Sequence, residues 1–397
     1  MSLSNGVNES ALHAHRFLLR TGLSLVHAFA WVFIFEYFYL LSTSVARALE
    51  SVVLLYAFAQ FITIVTTPVS AAHLAKGTRR SLVVGALTAA CAFVVLGASF
   101  SGFFNSPALW GLALFATLLG LYRALYFVPY KLVSAGPSTI AHAHTYFEVL
   151  LALMPLFAGL TLVGTQSAPA RLLFGAGAII VLASVIAYLI PDTRERFSWP
   201  YIYTFKQLFR KKNQELVLQS LLEGMQGAAL FLIWPLAIFL IVEWSYVMLG
   251  VVFSVTLLAI LLMRRFYLWF SHRISVHDSP IVHTVVAVSG WIARLAAGTP
   301  VGIIIADVYS YSTLPERGTR VDPTTFEHVS DRGAFLDEYT ALKEIGLALG
   351  RIMLCVLVFF LAFAFVLPVV LAIALSIAAV ASGISVLVAR RGLAPAY

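Results

Sequence analysis

One pattern recurs along nearly the whole chain: an unbroken apolar stretch about as long as a bilayer's hydrocarbon core is thick, then a short connection. A helix needs about 20 apolar residues to cross that core. Twelve segments qualify, at roughly 17–41, 47–70, 80–100, 107–130, 143–164, 170–190, 217–241, 246–263, 281–297, 300–314, 340–364 and 367–389. A water-soluble fold could not hide that much apolar surface, because 61% of the 397 residues are hydrophobic and only 11% are charged. The chain therefore reads as an all-α polytopic membrane protein whose partner is the lipid bilayer. Its first sixteen residues are polar and run directly into a long apolar span, which reads as an uncleaved first helix.

The net charge of +8 would suit a nucleic-acid binder, but the placement of the basic residues argues for topology instead. Twenty of the 26 Lys and Arg lie in the N-terminal segment, in every second connection, or at the adjoining helix ends. The intervening connections hold Arg47 and Arg171 alone. Such a bias puts the basic connections in the cytoplasm, and with them both termini, in a plasma or inner membrane. Nucleic acid is excluded as the partner. The basic stretches 264–273 and 317–332 can share a side only if residues 281–314 cross twice, with Gly298-Thr299-Pro300 as the turn. Pro368 is placed to begin the last helix.

The longest charged interruption before the C-terminal third, within residues 191–216, falls after six spans and before six more. It divides the chain into an N-terminal bundle (1–190), a basic linker and a C-terminal bundle (217–397). Tyr201, Phe205, Leu208 and Phe209 in the linker are spaced for a short helix lying on the membrane surface; a solvated linker is the alternative. The halves echo one another. Arg123 and Glu148 sit on the fourth and fifth spans, while Asp307 sits on the tenth and Glu344 and Arg351 on the eleventh, with the signs exchanged. Parallel six-helix repeats with weak internal symmetry build one large class of transporters.

Between the second and third spans stands Ala71-Ala72-His73-Leu74-Ala75-Lys76-Gly77-Thr78-Arg79-Arg80. With the twelve spans and the basic central linker, this stretch resembles the major facilitator superfamily, whose signature there is Gly-x-x-x-Asp-Arg-x-Gly-Arg-Arg/Lys. Lys76, Arg79 and Arg80 match its basic positions. Ala71 and Thr78 replace the glycines, and Ala75 replaces the carboxylate of the conformational loop. The resemblance implies two six-helix bundles that rock about a site near the midplane, lined by the first, fourth, seventh and tenth helices.

Ionisable side chains inside a bilayer cost on the order of 2.5–3.5 kcal/mol at mid-helix on an insertion scale, so they turn toward protein or water. Those four helices carry Glu36, Arg123, Glu223 and Asp307. The three acids are candidates for solute or proton binding, and Arg123 suits an anionic group or a neighbouring carboxylate. Gln219, Glu223 and Gln226 share one helical face. Trp31 and Tyr126 are candidate cavity aromatics, whereas Trp244 and Tyr246 read as anchors at the membrane interface. Arg123 with Glu148, and Asp307 with Arg351, are alternatively structural ion pairs. Cys91 and Cys355 lie inside spans and read as small buried hydrophobes. The pairs His13/His15 and His142/His144 have no companion ligands, so no metal is expected, and no cofactor is implied.

The function that follows is secondary transport of a small solute by alternating access, with carboxyls available for proton coupling, in a monomer. A scaffold or receptor on a transporter fold is one alternative. A lipid-modifying enzyme is another, and only the acidic connection 315–338 offers it a candidate site. Three acids to one base tilt the presumed cavity toward cations or neutral solutes.

Overall fold

In the computed structural model the described residues are 2–102, 108–134, 144–164, 168–192, 199–271, 280–312 and 338–391. The apolar stretches become helices because lipid offers no partner to a backbone N–H or C=O, so each segment must satisfy its own. The first half supplies α1 (Ser2–Ser42), α2 (Val45–His73), α3 (Thr78–Phe100), α4 (Ala108–Ser134), α5 (His144–Thr161) and α6 (Ala168–Ala187). A short helix, α7 (Tyr201–Leu208), follows in the linker. The seventh span is composite: α8 (Gln214–Ala228), a π-helical turn (Ala229–Ile233) and α9 (Trp234–Ile241). Then come α10 (Tyr246–Ser271), α11 (Pro280–Ala296), α12 (Pro300–Ser312), α13 (Glu338–Ala364) and α14 (Leu367–Arg391). Nine of these spans are long and apolar enough to cross a membrane, and shorter apolar helices within α5, α11 and α12 fill the remaining three places. No strand occurs among the described residues.

The turns sit where the sequence punctuates. Thr43, at φ 53°, ends α1, and Ser44 caps α2 by accepting the Arg47 N–H. The α11–α12 turn spans Gly298-Thr299-Pro300, and the two helices pack as an antiparallel pair, as the double crossing requires. Pro368 stands at the second position of α14. Linker helix α7 lies against α2 and α13, with Thr204, Gln207 and Leu208 buried and Tyr201 Oη donating to the Val65 carbonyl at 3.1 Å. It is therefore a docked element. Cys91 departs from expectation: it lies on the exposed face of α3, while Cys355 is buried.

Helix contacts repeat from one half to the other. In the first half α1 packs on α5 and α6, α2 on α4, and α3 on α4 and α6. Six spans later, α8 packs on α13 and α14, α10 on α12, and α11 on α12 and α14. Between the halves, α2 meets α13 and α5 meets α10. Advancing the first pair by six spans, cyclically, yields the second, which is the relation a pseudo-twofold axis imposes.

Small residues make the α5–α10 crossing possible. A Cβ on Gly250 would collide with the Pro155 carbonyl oxygen, and one on Gly159 would stand 2.7 Å from the Tyr246 carbonyl oxygen. Backbones this close gain packing without any hydrophobic drive, which lipid does not supply. The Leu156 N–H also crosses the interface, donating to Ser254 Oγ at 2.8 Å. Gly250→Leu should therefore lose about 1–3 kcal/mol to overpacking. It is expected to lower the unfolding temperature in detergent. Gly175→Leu, where nothing lies within 4 Å of the added Cβ, should leave it unchanged.

Candidate functional site

Glu36, Asp307, Glu223 and Arg123 fall in four separate groups. Glu36 on α1 accepts a short hydrogen bond from Tyr246 Oη on α10. Around it Phe35 stacks on Trp244 with ring centroids 5.6 Å apart, Tyr39 meets Trp244 at 4.7 Å, and Phe33 meets Tyr246 at 5.3 Å. Glu243 and Trp244 take φ values of 55° and 64°, a left-handed turn that folds the indole back over α1. Trp244 and Tyr246, read from sequence as interface anchors, also pack across the halves. Together they join the halves near the end of the bundle where α1 meets α2.

Asp307 belongs to the second group. Its Oδ1 meets Arg294 Nε at 2.6 Å, and its Oδ2 accepts from Trp234 Nε1 at 3.0 Å. The Arg294 guanidinium also lies over Trp291, 4.8 Å from the ring centroid. The expected Asp307–Arg351 pair does not form; the tight α11–α12 turn brings Arg294 to the aspartate first. Both members are buried, so the pair ties α11, α12 and the seventh span together.

The third group is the polar face of α8. Gln219 Nε2 donates to Glu223 Oε1 at 2.9 Å, and Lys343 Nζ on α13 stands 3.9 Å from Glu223 Oε2. Gln226 is buried and bonds back to the Leu222 carbonyl.

The fourth group lies at the middle of its helices and bridges the halves. Gln60 Oε1 on α2 accepts from Arg123 Nη1 on α4 and from Arg351 Nη1 on α13, both at 3.2 Å. The two nitrogens are therefore separated by no more than twice that distance. Gln60 and Arg351 each sit about 20 Å along their helices from either end. His27 on α1 shares this level: its ring lies within Coulombic reach of both arginines and edge-on to Phe231, 5.2 Å away. Phe231 belongs to the π-helical turn just before Pro235, whose missing N–H unsettles the ladder there. Tyr56 supplies a ring face 5.8 Å from the Arg123 carbon. Glu344 also acts on Arg123 electrostatically.

Two unit charges about 6 Å apart in an effective dielectric of about 20 repel by on the order of 3 kcal/mol. The amide oxygen offsets part of that. Donors nonetheless outnumber acceptors. Arg351 Nε, Gln60 Nε2, His27 Nε2 and Tyr56 Oη are buried with no hydrogen-bond partner among the described residues. Each such group carries a desolvation cost of about 1–3 kcal/mol.

Trp31 packs edge-on to Tyr56 and Phe115, at 5.0 and 5.7 Å, within the first half. Tyr126 accepts or donates one hydrogen bond with His15 Nε2 (3.1 Å) and stacks on Tyr130 (5.3 Å). His15 is consequently a buried packing residue that also bonds the Ala183 carbonyl. Glu148 is half-buried near the start of α5. The residues that sequence reasoning passed over are His27, Tyr56 and Gln60. Their signal was polarity at the centre of apolar spans; attention to acids and arginines hid it.

In the loop after α2, Lys76 and Arg80 are exposed. Arg79 donates its backbone N–H to Asp192 Oδ1 at 3.1 Å, and its guanidinium reaches the Tyr188 carbonyl at 3.4 Å. Asp192, just beyond α6, thus supplies a carboxylate to the N-terminus of α3, where Ala75 could not. Gly77 at φ 117° turns the chain beneath it, and a Cβ there would strike that carboxylate. Residues 313–337, most of the acidic connection, and Arg273 and His142 lie outside the described residues; so do the side chains of Arg264, Arg265 and His144.

No protein-family model matches the sequence, and no curated protein sequence does. Solved structures do match. A POT family transporter in complex with 5-aminolevulinic acid aligns over 98% of this chain and 96% of its own at a TM-score of 0.61 and 12% identity. A bacterial homologue of the iron transporter ferroportin, in an inward-facing state, aligns over 96% and 98% at 0.59 and 14%. The E. coli fucose:proton symporter aligns over 96% and 97% at 0.56 and 13%. With the repeated helix contacts and the cross-half pairs, these alignments identify the architecture: the chain adopts the fold of the major facilitator superfamily transporters.

Proposed function

We propose that this protein is a secondary transporter that moves a small solute by alternating access, with residues 1–190 and 217–397 as the rocking bodies. One observation carries the reading. Two intramembrane arginines and a glutamine from opposite halves meet at the middle of their helices, beneath an aromatic contact that also joins the halves. Helices fixed for scaffolding alone have no need of a polar junction there, since buried polar groups weaken packing unless fully satisfied. The structural neighbours named as a fucose:proton symporter and a peptide transporter make the same reading natural. An enzyme is disfavoured because the similar solved structures are all named as transporters or symporters.

The topology goes with it. The N-terminus, the α2–α3 loop, the linker and the C-terminus are cytoplasmic, so the Glu36–Tyr246 contact is on the outer side. One chain contains the whole site, and a monomer suffices.

Roles among the acids divide by their contacts. Glu36 holds the outer contact. Asp307 is structural, locked by Arg294. Glu223 is the acid for proton exchange: it lies on the polar face of α8 with Gln219 bonded to it, and Lys343 stands 3.9 Å away.

Three outcomes follow. Purified protein in liposomes should take up at least one small solute saturably from a broad panel; no flux and no binding across the panel would remove the transporter reading. Asp307→Ala should lose about 3–5 kcal/mol by stranding a buried arginine, seen as a fall in detergent thermostability, while Asp307→Leu with Arg294→Met should recover most of it. Glu223→Gln should flatten the pH dependence of uptake while leaving the protein folded, and an unchanged pH profile would strip Glu223 of its role.

A further inference from the structure

We propose that the midplane cluster binds an anionic group of the transported solute, a carboxylate or a phosphate-class oxyanion, held between the halves by Arg351 and Arg123 with Gln60, His27 and Tyr56 around it. This rests on the transporter reading above and adds the substrate class to it. It also reverses the sign expected from sequence, where three acids against one base favoured cations.

The inference is a count of donors. Gln60 spends its one amide oxygen on both guanidinium groups. That fixes its Oε1 toward the arginines and leaves its Nε2 as a surplus donor. Arg351 Nε, a donor only, Tyr56 Oη, which carries an O–H, and His27 Nε2, a donor in the tautomer protonated there, are buried with no hydrogen-bond partner among the described residues. These four residues are at least nine-tenths buried: 4% exposed for Arg351, 0% for Gln60 and Tyr56, and 7% for His27. A site crowded with N–H and O–H groups and short of oxygens calls for a ligand that only accepts. Ionised carboxylates and phosphates are such groups, and the guanidinium fork matches their geometry.

Charge points the same way. Arg123 and Arg351 share this level, while Glu344, which also acts on Arg123, and the Lys343–Glu223 pair lie about two turns away along α13. Counted over these five groups, the charge is positive by one. The acids that could have drawn a cation are engaged elsewhere: Asp307 with Arg294, and Glu36 with Tyr246. Because Arg351 lies on α13 and Arg123 on α4, an anion between them also lowers the repulsion that opposes approach of the halves. Binding and rocking are then linked through one contact.

The test is binding, read apart from transport. Unfolding temperature in detergent would be followed with lactate, succinate, glycerol 3-phosphate and inorganic phosphate, beside lactamide, succinamide and glycerol as uncharged counterparts and choline as a cation. At least one anion should stabilise wild type saturably while its uncharged counterpart does not, and which anion does so separates carboxylate from phosphate. Arg351→Gln should weaken that anion at least tenfold, Arg351→Lys less, and Gln60→Leu measurably. Stabilisation by choline or the uncharged compounds alone, or by no probe at all, would overturn the proposal, as would an Arg351→Gln variant with wild-type anion affinity. If Arg351→Gln fails to fold, the wild-type panel and Gln60→Leu decide. Anion binding without flux in liposomes would sink the transporter reading and leave this one standing; flux of a cation or neutral solute, with no anion effect, would do the reverse.

Discussion

The contact of α2 with α13, mirrored by α5 with α10, is where the two halves are joined, and the other features of the molecule take their meaning from it. Lipid gives helices no hydrophobic reason to associate, so each join depends on close packing and on polar groups that find partners. The two joins solve this differently. At α5–α10 glycines bring backbones together, with one backbone-to-serine hydrogen bond across. At α2–α13 a glutamine and an arginine meet at the centre. The first is a close backbone contact. The second is a polar junction whose strength depends on what is bound there.

Ionisable groups in the membrane sort by how completely they are answered. Arg294 and Asp307 satisfy each other and gain an indole donor, so they act as a clamp within the second half. Glu36 is answered by a phenol across the halves, surrounded by stacked aromatics. Arg351, by contrast, is answered only in part, by one shared amide oxygen. Partial satisfaction of a buried charge is costly, and a cost kept at the midplane of a two-body fold is what a ligand can relieve. A clamp, a cross-half contact and a site thus emerge from one physical rule applied to different surroundings.

Much of this was legible in the sequence. Apolar length gave the spans, including the short α11–α12 pair that charge placement demanded. Arg123, Glu36 and Asp307 stand out in the sequence as charges inside apolar spans. Their partners were not legible. Asp307 was matched with Arg351 by depth, but depth along a helix says nothing of azimuth, and the turn at Gly298 places Arg294 nearer. Gln60 and His27 escaped notice because an uncharged or neutral polar residue barely dents a hydropathy profile. Asp192 could not be recognised as standing in for the carboxylate missing at Ala75, since it is distant in sequence and adjacent only once α6 packs on α3.

If the halves rock about this junction, the aromatic contact of Phe35 with Trp244 must break once in every cycle. The direct measurement replaces Phe35 and Trp244 with cysteines, in a chain whose Cys91 and Cys355 have been removed, and follows solute flux in liposomes before and after oxidation. Cross-linking should stop flux, and reduction should restore it. Flux that continues at its full rate through the cross-linked protein would contradict the account.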